Sequence, residues 1–392
     1  MAFQAPVRLL AAAKPSVPTA LLVAIASSTA AFVATPFLLS AGSDDYDVAL
    51  STAGWISTAQ LAGFVLASWV GGRFLRPVRS VFVYGTMIGV LANLGSAVAP
   101  TFETLTIMRF GSGLSLGFAA WIAWQAAFGD IGRTGDVAVV GPIVGIFMAP
   151  LIAVVLESFG PRWLFVVLAA ITATPLIWTR QVPLVDRLRP HRTRHAPTRA
   201  ALAILIALGA ITLGGSSVFV YSAAIGEDLD GLSPFTVSLL FSGNALAGIP
   251  AARWTGRRGP AGIWFIATGI CALAIAVSRS SIVFGAAMVG WGFVFFMGVP
   301  AAFNLLAERS KFPEERAGDA QAVMALGRVF GPIVGGVLLA AGSEVTLGII
   351  ATAVMLVGGC LLLYVDRKRF IVVRQYGEWS QGRASVDSAQ HA

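Results

Sequence analysis

The sequence predicts an all-α membrane protein of twelve transmembrane helices in two halves of six. Three observations carry this. The chain is 57% hydrophobic and only 12% charged, which ordinary soluble domains do not approach. Its apolar residues fall into twelve runs of about 20 residues, the length one helical span needs. Its lysines and arginines gather in alternate loops, as insertion into a membrane leaves them.

The runs cover 18–41, 48–70, 79–99, 104–127, 136–156 and 161–180, then 199–224, 234–252, 260–278, 281–306, 317–341 and 344–364. The first follows Arg8 and Lys14 and resembles a secretory signal in outline. It is longer than a signal core, and apolar residues continue past Pro36. Removing it would leave eleven spans and spoil the charge alternation, so it is read as a retained helix. Between the sixth and seventh spans lies QVPLVDRLRPHRTRHAPTR, 181–199, the longest internal polar stretch. Its prolines and repelling arginines suit a linker on lipid headgroups. The chain thus divides into a first bundle at 1–180, a basic linker at 181–198, a second bundle at 199–364 and a tail at 365–392.

An even number of spans puts both termini on one side. The loops on that side carry Arg8, Lys14, Arg73, Arg76, Arg79, Arg133, Arg180, the arginines of 187–199, Arg253, Arg257, Arg258, Arg309, Lys311, Arg316 and the tail cations. The opposite loops hold Arg162 and Arg279 alone, while Arg109 and Arg328 fall inside spans. Positive charge stays cytoplasmic during insertion, so both termini are expected in the cytoplasm of a bacterial-type cell, with the protein in its inner (plasma) membrane. The acidic loops Asp44–Asp47 and Glu227–Asp230 then face outward. The net charge of +8 records orientation, and no nucleic-acid partner is expected. His191 and His195 are too few for a metal site, Cys271 and Cys360 have no ligand spacing, and no cofactor is expected. No nucleophile–base set or phosphate-cradling loop appears, which argues against an enzyme.

The halves carry a weak repeat. Gly145, Ala149, Pro150 and Ala153 in the fifth span match the spacing of Gly327, Gly331, Pro332 and Gly335 in the eleventh, 182 positions later. The loops 71–79 (GGRFLRPVR) and 252–259 (ARWTGRRG) also resemble each other. Paired interruptions in corresponding spans point to the moving core of a transporter. The stretch 327–336, GRVFGPIVGG, also places an arginine near the middle of a span, opposite Ile146 in the repeat.

Gly327-x-x-x-Gly331-Pro332-x-x-Gly335-Gly336 is similar to the antiporter signature of the major facilitator superfamily, particularly of its twelve-span drug–proton antiporter-like branch. That signature usually sits in the fifth span; here it is complete in the eleventh and softened to alanines in the fifth, where Gly141-Pro142 adds a second proline pair. Leu105-x-x-x-Arg109-x-x-x-Gly113-x-x-x-Gly117 resembles the family's span-four motif, and 312–318, FPEERAG, its loop before span eleven. In the gating loop, Gly71, Arg76 and Arg79 take family positions. Leu75 stands where the latching acid is expected, and Val78 where glycine is usual; Asp130, Asp136 and Asp319 are substitutes by position. The resemblance covers nearly the whole chain. It implies two pseudo-symmetric six-helix bundles that rock about a midplane site, a monomer in the bilayer, and a small-molecule substrate moved by a permease, with efflux by proton antiport as the branch's mode. Uptake or exchange of an organic anion is the alternative within transport, and a non-transporting sensor the alternative outside it.

Polar groups within spans are the site candidates: Gln60, Asn93, Arg109, Trp121, Trp124, Gln125, Tyr221, Asn244, Trp291, Asn304, Gln321 and Arg328. Each Asn or Gln could instead be a helix–helix hydrogen bond. Trp55, Trp69, Trp163 and Trp178 lie near span ends and are read as interfacial anchors. For Arg109 and Arg328 two readings stand. Either they bond backbone carbonyls or neighbouring helices, Arg328 capping those that Pro332 frees, or one of them receives an anionic or electron-rich substrate. Gly71, Arg76, Arg79, Gly145, Pro150, Gly327, Gly331, Pro332, Gly335 and Gly336 are gating and hinge candidates. Coupling candidates are Glu103, Asp130, Asp136 and Glu157, because a buried acid can load and release a proton.

Overall fold

The computed structural model describes residues 17–127, 131–182, 195–252, 254 and 258–367. Asp130, His191, Arg253, Arg257, most of the linker and the tail beyond Arg367 lie outside the described residues. The first half comprises α1 Thr19–Asp45, α2 Leu50–Phe74, α3 Arg79–Ala97, α4 Phe102–Ala127, α5 Ile131–Phe159 and α6 Pro161–Ala173. The second comprises α7 Arg199–Phe219, α8 Pro234–Ala252, α9 Ala261–Val277, α10 Ser281–Glu308, α11 Pro313–Ala341 and α12 Glu344–Arg367. Eleven spans are long and apolar enough to cross a bilayer, and α9, at 17 residues, is the short twelfth. At 1.5 Å per residue it reaches about 26 Å, near the lower limit for a span.

Two helices break where an unbroken span was expected. In the sixth, Pro175 cannot donate the hydrogen bond that Ile171 would accept. Thr174 Oγ1 donates to that carbonyl instead, at 2.6 Å, and the chain tightens into a 3-10 helix over Thr174–Gln181. In the seventh, the α-helix ends at Phe219, turns through Val220 and Tyr221, and resumes as a short helix over Ser222–Asp230. Pro36, Pro142, Pro150, Pro250, Pro300 and Pro332 are carried inside longer helices.

Packing shows the pseudo-symmetry directly. In the first half α2 packs along α4, α4 along α3, α3 along α6, and α1 along α5. In the second, α8 packs along α10, α10 along α9, α9 along α12, and α7 along α11. Adding six to each helix of the first set gives the second. The main contacts between halves, α2 with α11 and α5 with α8, exchange under the same operation.

The bundle has two chemically distinct ends. Asp44, Asp45, Asp47, Glu103, Glu157, Glu227, Asp228 and Glu344 lie at the end where α1, α3 and α5 finish; Arg76, Arg79, Arg180, Arg258, Arg309, Arg316 and Arg367 lie at the other. The contacts between halves cluster toward the acidic end. There the Phe235 N–H donates to Glu157 Oε1 at 3.1 Å, and Ser242 Oγ donates to the Ile146 carbonyl at 2.8 Å. Phe37 meets Phe241 at 5.1 Å between ring centres. Thr58 Oγ1 donates to the Val329 carbonyl at 3.5 Å, about 12 Å along α2 from Leu50.

Candidate functional site

A cavity of about 230 Å³ lies within the second half, with walls from all six of its helices. Phe219, Trp291, Phe295 and Phe296 supply aromatic surface. Asn244, Ser216, Thr212, Thr268 and Arg328 supply polar groups, and Arg328 is the one charged residue of the lining.

The glycine motif explains how Arg328 reaches this place. A Cβ on Gly327 would collide with Thr212 and lie 2.9 Å from the Gly209 carbonyl; on Gly331 it would lie 2.6 Å from the Ser216 Cβ. On Gly335 it would lie 2.5 Å from the Ser217 carbonyl. These three glycines therefore form one seam on which α11 rests against α7, with backbones closer than side chains would allow. Locked this way, α11 turns its next residue, Arg328, toward the cavity. Its side chain is half-buried and has no hydrogen-bond or ion-pair partner among the described residues. No hydrogen bond from Arg328 to a backbone carbonyl is present among the described residues, so it does not cap α11 in this conformation. Of the carbonyls near Pro332, Thr58 Oγ1 donates to that of Val329 at 3.5 Å, and Tyr221 OH donates to that of Pro332 itself at 2.8 Å.

Asn244 and Trp291 join Arg328 around the cavity. Asn244 donates from Nδ2 to the Met288 carbonyl at 2.7 Å, which fixes its amide between α8 and α10. Trp291 is buried, and its ring centre lies 5.5 Å from that of Phe219. The backbone of Gly292 presses on that of Asn244, just as Gly113 presses on Gln60 in the first half.

The other cavity candidates are placed elsewhere. Arg109 is fully buried between α3, α4 and α6, away from this cavity. Its Nη2 donates to Asn93 Oδ1 at 2.7 Å and to Ser96 Oγ at 2.8 Å, and the guanidinium lies 4.7 Å from the Phe165 ring centre. Asn93 Nδ2 in turn donates to Thr172 Oγ1 at 3.2 Å. Gln60 is buried and donates to the Ala31 carbonyl and Thr35 Oγ1, joining α2 to α1. Tyr221 is fully buried at the junction of α7, α11 and α2, where Gly54 and Gly336 leave room for its hydroxyl. Trp121 is buried against Gly71 and Gly72. These four are packing residues in this conformation because each faces a neighbouring helix. Trp124, Gln125, Asn304 and Gln321 are exposed, toward the basic ends of their helices.

Among the gating candidates, Gly145 and Gly336 sit at contacts between halves: a Cβ on Gly145 would lie 3.1 Å from Ala245 Cβ, and one on Gly336 would lie 2.7 Å from the Ser51 carbonyl. Pro150 lies within α5. Arg76 is exposed, and Arg79 donates to the Arg180 carbonyl at 3.0 Å, within its own half. Of the substitute latch acids, Asp319 pairs with Arg316 at 2.7 Å on its own helix, and Asp136 is half-buried in the first turns of α5. Glu103 is exposed at the start of α4. Glu157 accepts the hydrogen bond from Phe235 across the halves. Neither Glu103 nor Glu157 reaches Arg109.

Sequence reasoning missed Phe219, Phe295, Phe296 and Ser216. No aromatic pattern marks them in a chain with 25 phenylalanines, and the break after Phe219 decides where that ring points.

A profile of the Major Facilitator Superfamily matches residues 20–328. The chain belongs to the major facilitator superfamily. No curated protein sequence matches it significantly. Solved structures share the fold: the nucleoside transporter NupG, as a mutant, aligns with a TM-score of 0.66 and 15% identity, over 88% of this chain and 99% of that one. The human organic anion transporter MFSD10 (TETRAN) aligns with a TM-score of 0.64 and 15% identity, over 89% and 100%. At such identity the likeness concerns the fold alone. Like other superfamily members, this chain is a multi-pass membrane protein.

Proposed function

We propose that this superfamily member is a secondary transporter that works by alternating access, and that the cavity around Arg328 is where its small-molecule substrate binds. The observation that carries this reading is the uneven contact between halves: hydrogen bonds and ring contacts join them from the acidic end to about the midplane. Two bundles joined at one end and related by a pseudo-twofold can rock to expose a midplane site to either side in turn.

We read the basic end as the cytoplasmic one, because positive loops stay inside during insertion, with both termini inside and the protein in the inner membrane. The conformation is then closed outward. We read the physiological direction as efflux of a small aromatic or amphipathic compound by a monomeric permease, the mode of the antiporter-like branch. Proton coupling would enter through Glu157, the coupling candidate whose carboxylate bridges the halves: protonation weakens its acceptance of the Phe235 N–H and favours outward opening. Uptake into inside-out vesicles tests this pair of claims. Efflux by antiport predicts accumulation that an inward-acidic pH gradient increases; flux indifferent to that gradient would assign a uniporter. A sensor without transport predicts no flux under either condition.

A further inference from the structure

We infer that the ligand of this cavity is a small aromatic monoanion, its acid group on the Arg328 guanidinium and its ring among Trp291, Phe219 and Phe295. This rests on the transporter reading and narrows it to a substrate class.

Four features lead there. First, Arg328 carries a permanent charge, lines the cavity, and has no partner among the described residues. Its state differs from that of Arg109, whose Nη2 and Nε are held by Asn93 and Ser96. A charge within a membrane span is unfavourable without a counter-charge or polar partners. No acid lines the cavity to supply one, so an anionic ligand completes the site.

Second, the aromatic surface selects against simple inorganic anions, which lose hydration on entry and gain little from ring faces. Aromatic walls alone would also accept cations over their faces; Arg328 repels those. Third, one cation among the lining residues matches one negative charge. A doubly charged ligand would leave its second charge desolvated and without a counter-charge. Fourth, the volume sets the size. A cavity of roughly 150 Å³ holds a benzene ring, so about 230 Å³ takes one substituted ring with an acid group rather than a drug-sized molecule.

Thr212 and Thr268 donate to carbonyls of their own helices, and the other two polar groups fit this pose. Asn244 has its amide nitrogen engaged by Met288, which leaves Oδ1 to accept from a ring hydroxyl or amine. Ser216 can donate to the second carboxylate oxygen. An arginine fork suits carboxylate in two-point contact.

Purified protein in detergent, titrated with benzoate, 4-hydroxybenzoate and indole-3-carboxylate and with the matching neutral amides, tests the class by quenching of tryptophan fluorescence and by calorimetry. The wild type is expected to prefer each acid to its amide by roughly tenfold to a hundredfold, the strength of a charge-assisted hydrogen bond. Arg328→Gln should abolish that preference while amide affinity stays within about twofold, which also shows that the variant is folded. Arg328→Lys should keep part of the preference, and Trp291→Leu should weaken acid and amide alike. Equal binding of acids and amides by the wild type, no binding by any probe, or a preference that survives in Arg328→Gln would overturn the proposal. Those results leave the alternating-access reading standing, because that reading is tested without ligand by distance changes between the halves.

Discussion

At the scale of single residues, the two intramembrane arginines separate by what surrounds them. Arg109 donates through Nε and Nη2 to Asn93 and Ser96 and lies over the Phe165 ring, while its buried Nη1 has no partner among the described residues. Held on three sides, it belongs to the folded frame. Arg109→Gln should lower the thermal midpoint in detergent by the equivalent of about 1–3 kcal/mol, the penalty for orphaned buried polar groups. Arg328→Gln removes a half-buried charge that has no hydrogen-bond or ion-pair partner among the described residues, and should leave the midpoint unchanged or raise it. The opposite order of midpoints would assign the structural role to Arg328. The sequence makes both arginines conspicuous and cannot rank them. Ranking depends on whether a neighbouring helix turns an oxygen toward the guanidinium, and Asn93 and Ser96 show themselves as partners of Arg109 only after α3 and α4 are packed. Gln60, Tyr221 and Trp121 teach the same lesson: a polar or aromatic residue in a span is equally visible whether it faces a cavity or a neighbour.

At the scale of elements, the glycine seam of α11 does two jobs on two faces. Gly327, Gly331 and Gly335 meet α7 within the second half, while Gly336 meets Ser51 of α2 across the halves. Gly331→Val should therefore destabilise the protein by about 1–3 kcal/mol through overpacking, read as a lower midpoint and poorer recovery after extraction. Gly336→Val strikes the contact between halves and should favour the conformation open at the acidic end, with the midpoint less affected. Ser242→Ala removes the hydrogen bond that joins the halves at the Ile146 carbonyl, in the α5–α8 contact. A loss of about 1 kcal/mol in the closed conformation would shift the open fraction roughly fivefold, read by spin-label distances. The spacing of these glycines was legible in the sequence, because small residues four apart have one packing use in a membrane. Their division between two partners was not, since it depends on the direction α2 takes past α11.

At the scale of the whole molecule, twelve spans and their pairing into halves follow from hydropathy, charge alternation and the repeat. Pseudo-symmetry then makes the contacts between halves come in matched pairs, α2 with α11 and α5 with α8, which is what a rocking motion requires. The candidate site breaks this symmetry. Ile146 stands opposite Arg328 in the repeat, and Gln60, opposite Asn244, is buried against α1. Under the proposed function, substrate recognition falls to the second half, and the first is the partner against which it moves. The sequence isolated Arg328 as the unmatched residue; the cavity around it needed the helix break at Val220 and Tyr221, which no proline or glycine at those two positions announces.

The central claim is that the halves exchange contact between the acidic and the basic end. Spin labels at Ser158→Cys and Thr236→Cys report the acidic end, and at Arg76→Cys and Glu308→Cys the basic end, with Cys271 and Cys360 replaced by alanine. Pulsed electron resonance in lipid nanodiscs reads both distances. A short acidic-end distance is expected in the resting protein, with a second, longer population that grows in Ser242→Ala, which loses a hydrogen bond between the halves, as the basic-end distance shortens. Single, unchanging distances at both ends, in wild type and variant alike, would contradict it.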